Sequence, residues 1–300
     1  ETGISSPFCL IDGSIIFLAN SSASAGIIQV VSFTLLNEFF PDMEGSNAIT
    51  NWLFNSEYGA KYLVALILSV LWNFTFNRKF TFKSANNIKI AMLGAYFNPV
   101  HSNKELVKSN VEYFKEHLRL AKLLNCNYVG TETGSYNDDK WTYNPKNQTE
   151  EGYQDTMKVF HELVEVAKEN NTTILMEPAW GHVIYNVKQL KRAYDEINSE
   201  NLKVTIDIYN LIYIGNYTQY KEIFTEALQT FKDDVKIIHL KDFYVEDGKI
   251  VQCGLGKGII DFKFIIDTIK QYSPNATMVF EGVVGNDIKT SKLLIDSLNK

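Results

Sequence analysis

The stretch TILMEPAWGHVIYNVKQLKRAYDEINSENLKVTIDIY (173–209) contains two short apolar segments separated by a longer amphipathic one. The outer segments, 173–180 and 203–209, have the length and the β-branched residues of strands. The intervening segment 186–197 carries apolar residues at the i, i+3, i+4 spacing of a helix. Because the strand segments are apolar along most of their length, they are typical of a parallel sheet that is buried on both faces.

The same alternation continues on both sides of this unit. It predicts six strands, at 88–96, 127–133, 173–180, 203–209, 235–242 and 277–283. It also predicts five helices, at 103–124, 150–170, 186–197, 217–231 and 261–271. Repeated βα units form either an open doubly wound sheet or a TIM-type (β/α) barrel. No G-x-G-x-x-G turn follows a first strand, and polar residues end nearly every strand, which favours the barrel.

The polar residues that end these strands are candidate metal ligands. They are Glu132, Glu177, Asp207, His239 with Asp242, and Glu281. Each of them alone could instead be a helix cap, an ion-pair member or a satisfied core residue. Several ionisable groups at one end of a barrel need a counter-charge, because burying them without a partner is costly. Three carboxylates and one imidazole favour one divalent ion, manganese, magnesium or cobalt rather than zinc, although zinc stays open.

Seven segments are characteristic in their order and spacing: NNIKIAMLGAYFNP, GTETGSYNDD, LMEP, TIDIYNL, IIHLKDF, GLGKGIIDF and VFEG. Together they resemble the xylose-isomerase-like superfamily of sugar phosphate isomerases and epimerases over residues 87–300. The resemblance implies that Glu177, Asp207, His239 and Glu281 bind the metal, and that Glu177 and Glu281 are the catalytic acid and base. The implied reaction removes the proton α to the carbonyl of a small sugar or sugar phosphate, through an enediolate. Epimerisation and aldose–ketose isomerisation both remain open.

Four further residues are candidate substrate contacts. Glu132, His182 and Asn210 follow the strand ends and could bind sugar hydroxyls. Lys257, in the GLGKG loop, could bind a phosphate or a carboxylate. A structural hydrogen-bonding role is the alternative for Glu132, and a solvated loop position is the alternative for Lys257.

A nuclease of the AP-endonuclease type is the other interpretation within this superfamily. Its zinc site requires several histidines at strand ends, whereas this chain has five histidines in all, and only His182 and His239 stand in such places. The net charge of -6 also disfavours binding to a phosphate backbone. Nucleic acid is therefore not expected as a partner.

Residues 1–86 differ in character from residues 87–300. Apolar segments at 15–40 and 62–76 predict a helical hairpin that associates with a membrane through residues 15–80. Basic residues follow the second segment, so the positive-inside rule places the barrel in the cytoplasm, tethered to the membrane. Two buried helices of a soluble domain are the alternative.

The string ALILSVLWNFTFNRKFTF, within this N-terminal part, resembles the GtrA-like family of small membrane proteins, which are associated with moving lipid-linked sugars. The resemblance covers residues 15–86. It implies a second function hypothesis, in which a membrane-anchored protein uses a catalytically inactive barrel to bind sugar.

A closed barrel of this type has eight strands, and segment 88–96 resembles the third strand of the family. The sequence therefore predicts that the first two βα units are lacking, and that strands 88–96 and 277–283 have unpaired edges. Three explanations remain open: completion by a partner or by a second copy in a homo-oligomer, an enzyme half that has lost activity, and a chimaeric sequence.

Overall fold

The computed structural model describes residues 10–11, 14–15 and 89–298. Two short strands, β1 (Leu10–Ile11) and β2 (Ser14–Ile15), form an antiparallel pair. The main sheet consists of six parallel strands: β3 (Leu93–Gly94), β4 (Tyr128–Thr131), β5 (Thr173–Met176), β6 (Leu202–Asp207), β7 (Val235–Leu240) and β10 (Thr277–Phe280). Their order across the sheet is β10-β7-β6-β5-β4-β3. The prediction of six parallel strands in a TIM-type partial barrel is thus confirmed.

Helices alternate with the strands in the described residues. Their bounds are α1 (Lys104–Leu123), α2 (Glu150–Glu169), α3 (Val187–Ile197), α4 (Ile208–Leu211), α5 (Tyr220–Phe231), α6 (Phe262–Tyr272) and α7 (Asn286–Leu298). Asn103, Thr149, Asn186 and Asp261 accept backbone N–H groups at the starts of α1, α2, α3 and α6, which explains where these helices begin. The five predicted helices are present with small shifts at their ends.

The apolar stripes of the helices pack against the sheet. On α1 the buried residues are Val111, Phe114, Leu118 and Ala121, which repeat at helical spacing. Every residue of β6 is buried, as expected for a central strand covered on both faces. This packing holds the strands in place, and because they are parallel their carboxyl ends lie along one edge of the sheet.

Several elements differ from the sequence prediction, among them the short helix α4, which begins within the predicted strand 203–209. Strand 88–96 was predicted too long, because β3 has only β4 as a neighbour among the described strands and their ladder covers two residues. A hairpin of β8 (Asp242–Glu246) and β9 (Lys249–Cys253) was missed, as was helix α7. The hairpin turns at Asp247 and Gly248, whose φ angles of 50° and 70° fit a type I′ turn.

Within the described residues the sheet is open, since β3 and β10 each pair with one strand. The predicted membrane hairpin at 15–80 lies outside the described residues, apart from Ile15 in β2. The same holds for nearly all of the GtrA-like segment and for the segment in which the first two βα units would lie. In the part of the chain that is described, we find no helix with the length and apolar character needed to cross a bilayer.

Candidate metal and active site

Four ionisable residues lie at the carboxyl ends of four neighbouring strands. Asp207 ends β6 and is paired in register with His239 of β7. Glu177 and Glu281 directly follow β5 and β10. Each of the four offers a ligand atom, and these atoms all lie within 4.8 Å of one another. Because β6 and β7 lie between β5 and β10, the two glutamates approach the cluster from opposite sides.

The contacts within this cluster suit a shared cation. The Nδ1 atom of His239 lies 2.6 Å from Glu281 Oε2, 3.3 Å from Glu177 Oε1 and 3.7 Å from Asp207 Oδ2. These contacts are close but poorly directed, since His239 Nδ1, Asp207 Oδ2 and Glu281 Oε2 are buried atoms that make no hydrogen bond of good geometry. The ring nitrogen and the oxygens therefore converge on one point without well-directed hydrogen bonds, as expected for atoms that could coordinate the same metal ion.

Lys241 also belongs to this cluster, although the sequence analysis did not identify it. Its Nζ atom lies 2.7 Å from Asp207 Oδ2 and 3.1 Å from Glu281 Oε2, and the residue is buried. Burial opposes its charge, but Asp207 and Glu281 raise the pKa of Lys241 above its ordinary value, so the side chain is an ammonium. Lys241 follows His239 by two residues, and the period of a strand could have placed it on the same face.

The charge of the cluster matches a divalent ion. Burial, and next the nearby Glu177, raise the pKa of Glu132 well above its ordinary value, which favours the neutral carboxyl group. With His239 neutral, as a metal ligand must be, the carboxylates of Glu177, Asp207 and Glu281 and the ammonium of Lys241 sum to two negative charges. One divalent cation beside a neutral His239 would balance them.

The opposite charges of the cluster stabilise one another. Burial opposes the charged form of His239, yet Glu177, Asp207 and Glu281 raise its pKa above the ordinary value. Burial also opposes the charge of Glu281, but His239 and Lys241 lower its pKa to about 2. The carboxylates therefore attract a positive charge to the centre of the cluster.

Three of the predicted substrate contacts border the metal-ligand cluster. Asn210 donates from Nδ2 to Glu177 Oε1 at 2.8 Å and to Glu132 Oε1 at 3.1 Å. His182 Nδ1 lies 3.8 Å from Glu132 Oε2, and its Nε2 lies 3.1 Å from the carbonyl oxygen of Trp141. Burial lowers the pKa of His182 to about 4, so the imidazole is neutral.

Two other candidates make contacts of a different kind. Lys257 forms an ion pair with Asp287 at 2.5 Å, and its side chain is 55% exposed. Its contact with substrate stays a prediction. Asp242, a candidate ligand by its position, instead accepts four backbone N–H groups, including those of Gly256 and Gly258. It is outside the set of four converging residues and holds the 254–260 loop in place.

Tyr96 is a second residue that joins the site. Its hydroxyl group donates to Glu177 Oε2 at 3.2 Å. With Asn210 on the other oxygen, both carboxylate oxygens of Glu177 accept a hydrogen bond. The carboxylate is therefore held in one orientation, whereas Glu281, with a side chain 40% exposed, is more accessible.

The chain belongs to the xylose isomerase-like TIM barrel family, whose model matches residues 81–296. Among solved structures, a D-tagatose 3-epimerase-like protein has a TM-score of 0.59 at 19% sequence identity. The match covers 80% of this chain and 85% of that protein's chain. An IolI protein with a bound zinc atom has a TM-score of 0.60 at 16% sequence identity, and the match covers 77% of this chain and 84% of that one. At these identities the likeness shows the fold.

A third similar structure is a xylose isomerase-like TIM barrel protein from Mycobacterium smegmatis in complex with magnesium. Its TM-score is 0.57 at 12% identity, and the match covers 96% of this chain and 92% of that one. The search of curated proteins found no match in sequence. The structural neighbours thus include epimerase-like proteins and metal-bound members of the same fold.

Proposed function

We propose that this protein is a divalent-metal-dependent isomerase or epimerase of a small sugar or sugar phosphate. The observation that carries the proposal is the convergence of Glu177, Asp207, His239 and Glu281 within 4.8 Å. They lie at the carboxyl ends of the strands, where the active sites of TIM barrels are found. The epimerase-like structural neighbour supports the reaction class.

The four residues would hold one divalent ion. A set of three carboxylates and one imidazole suits manganese, magnesium or cobalt, and it admits zinc. The magnesium and zinc in two structures of the same fold support a divalent ion without choosing between metals. When bound, this ion would supply positive charge that stabilises the oxygens of an enediolate.

Glu177 and Glu281 are the proposed acid and base. Since they approach the cluster from opposite sides, a sugar carbon bound between them would present one face to each carboxylate. One glutamate, as the carboxylate, removes the proton from the carbon α to the carbonyl. The other, which carries a proton as the carboxylic acid, delivers that proton to the opposite face and inverts the carbon. Delivery to the neighbouring carbon instead would give the aldose–ketose isomer.

The neighbouring polar groups would orient the substrate. Glu132, His182 and Asn210 lie beside Glu177 and offer both donors and acceptors to sugar hydroxyls. The ammonium of Lys241, held between Asp207 and Glu281, would stabilise negative charge that develops on a substrate oxygen. These roles depend on side chains that the fold already holds in place.

Proton exchange with solvent tests the proposal. We expect the full chain with Mn²⁺ in D₂O to catalyse the incorporation of deuterium into a ketose, at the carbon next to its carbonyl. NMR follows this exchange for D-tagatose, D-fructose and their phosphates. EDTA should abolish the exchange and added Mn²⁺ should restore it. Sugar binding without any exchange, in protein that has bound the metal, would contradict the proposal.

A further inference from the structure

A cavity of about 380 Å³ lies near the carboxyl ends of β5 and β6. Its lining comes from the loop after β5, the start of α3, the loop after α4, and α5; none of the four candidate metal ligands contributes to it. Its volume falls in the lower part of the range for small-molecule sites. The cavity is therefore large enough for one small ring-shaped ligand.

The walls of the cavity are aromatic and preformed. Trp180 stacks on Tyr213 with ring centroids 4.2 Å apart, and on Tyr143 with centroids 4.9 Å apart. The backbone N–H of Trp180 donates to the carbonyl oxygen of Asn210 at 2.7 Å, which fixes the loop that carries it. A rigid wall of this kind lowers the entropy cost of binding.

The chemistry of the lining favours a neutral ligand with several hydroxyl groups. The buried side chains of Val187 and Leu211 form an apolar surface. Gln148, Asn216 and Gln219 carry amides, which donate and accept hydrogen bonds without charge. Lys188 and Glu226 also line the cavity, and their opposite charges cancel. Nothing in this lining selects an anion or a cation.

We propose that this cavity is a second binding site, for a neutral polyhydroxylated ring such as a sugar or a cyclitol. The C–H faces of such a ring contact aromatic and aliphatic walls, while its hydroxyls bond to the amides. This proposal does not depend on the proposed function, because it requires neither metal nor turnover.

Binding can be measured in protein whose candidate active site is disabled. The full chain with Glu281→Gln, in EDTA, is titrated with methyl α-D-glucopyranoside and with myo-inositol by ligand-observed NMR. Ile223→Trp should fill the cavity and weaken binding at least ~10-fold. Glu222→Trp places the same side chain on an exposed position of α5 and should leave binding unchanged.

A second variant covers the case in which Ile223→Trp does not fold. Gln219→Ala removes one exposed amide from the rim and should weaken binding while circular dichroism stays unchanged. The proposal is overturned if neither neutral probe binds, or if the two cavity variants bind the probes as well as their parent does. It is also overturned if only inorganic phosphate binds and its binding is weakened by these substitutions. Failure of ketose turnover would not affect this result.

Discussion

Glu177→Gln is expected to lower kcat for ketose turnover by at least ~100-fold, the loss typical of removing a general acid or base. The amide can keep a hydrogen bond to Tyr96 or to Asn210, so the side chain should stay in place. It cannot accept a proton from carbon. The measurement is the steady-state rate at saturating Mn²⁺, together with deuterium exchange in D₂O.

The matched control for this variant is Glu246→Gln, which removes a carboxylate from an exposed position of the β8–β9 hairpin. Its turnover should equal that of the unaltered protein. If Glu177→Gln retained full kcat with metal bound, Glu177 could not be the acid or the base. A rise in KM alone would indicate a binding role instead.

Asp242→Ala is expected to lower the free energy of unfolding by about 4 kcal/mol, because it leaves buried backbone N–H groups without an acceptor. The carboxylate accepts from Phe243, Gly256, Gly258 and Ile260 at 2.8–3.1 Å and is fully buried. Gly258 approaches it so closely that an added Cβ would lie 2.3 Å from Oδ1. The loop and the carboxylate therefore form one unit.

Urea unfolding measures this loss, with Asp267→Ala as the control. Asp267 is an exposed carboxylate on α6 that pairs with Lys263, and exposed pairs contribute little to stability. Its removal should change the unfolding free energy by less than about 1 kcal/mol. Equal stability of the two variants would show that Asp242 does not hold the loop.

The strands and helices were largely predictable because their periodicity is strong. The central strands are rich in β-branched residues and largely apolar, and α1 repeats Val111, Phe114, Leu118 and Ala121 on one face. The hairpin of β8 and β9 was missed although the Asp247–Gly248 pair signals a type I′ turn. The short length of β3 depends on its neighbours in the sheet and could not be read from local sequence.

The candidate site was predictable in part. Position at a strand end identified six candidates, since parallel strands end at one edge, and the family resemblance selected from them the four that converge. The same rule failed to distinguish Asp242, whose hydrogen bonds reach residues 14 to 18 positions further along the chain. Lys241 was not assigned, although the strand period places it on the same face as His239. Tyr96 was not assigned a contact because Glu177, its partner, comes from a distant segment that becomes a neighbour only in the fold.

A calorimetric titration of Mn²⁺ into protein stripped with EDTA tests the central claim most directly. We predict one ion per chain, and affinity at least ~10-fold weaker for Asp207→Asn, which removes one charge. Asparagine can still accept the backbone N–H of Tyr209 at the start of α4, so this variant should fold. Absence of binding, or equal affinity in Asp207→Asn, would contradict a metal site at the carboxyl ends of these strands.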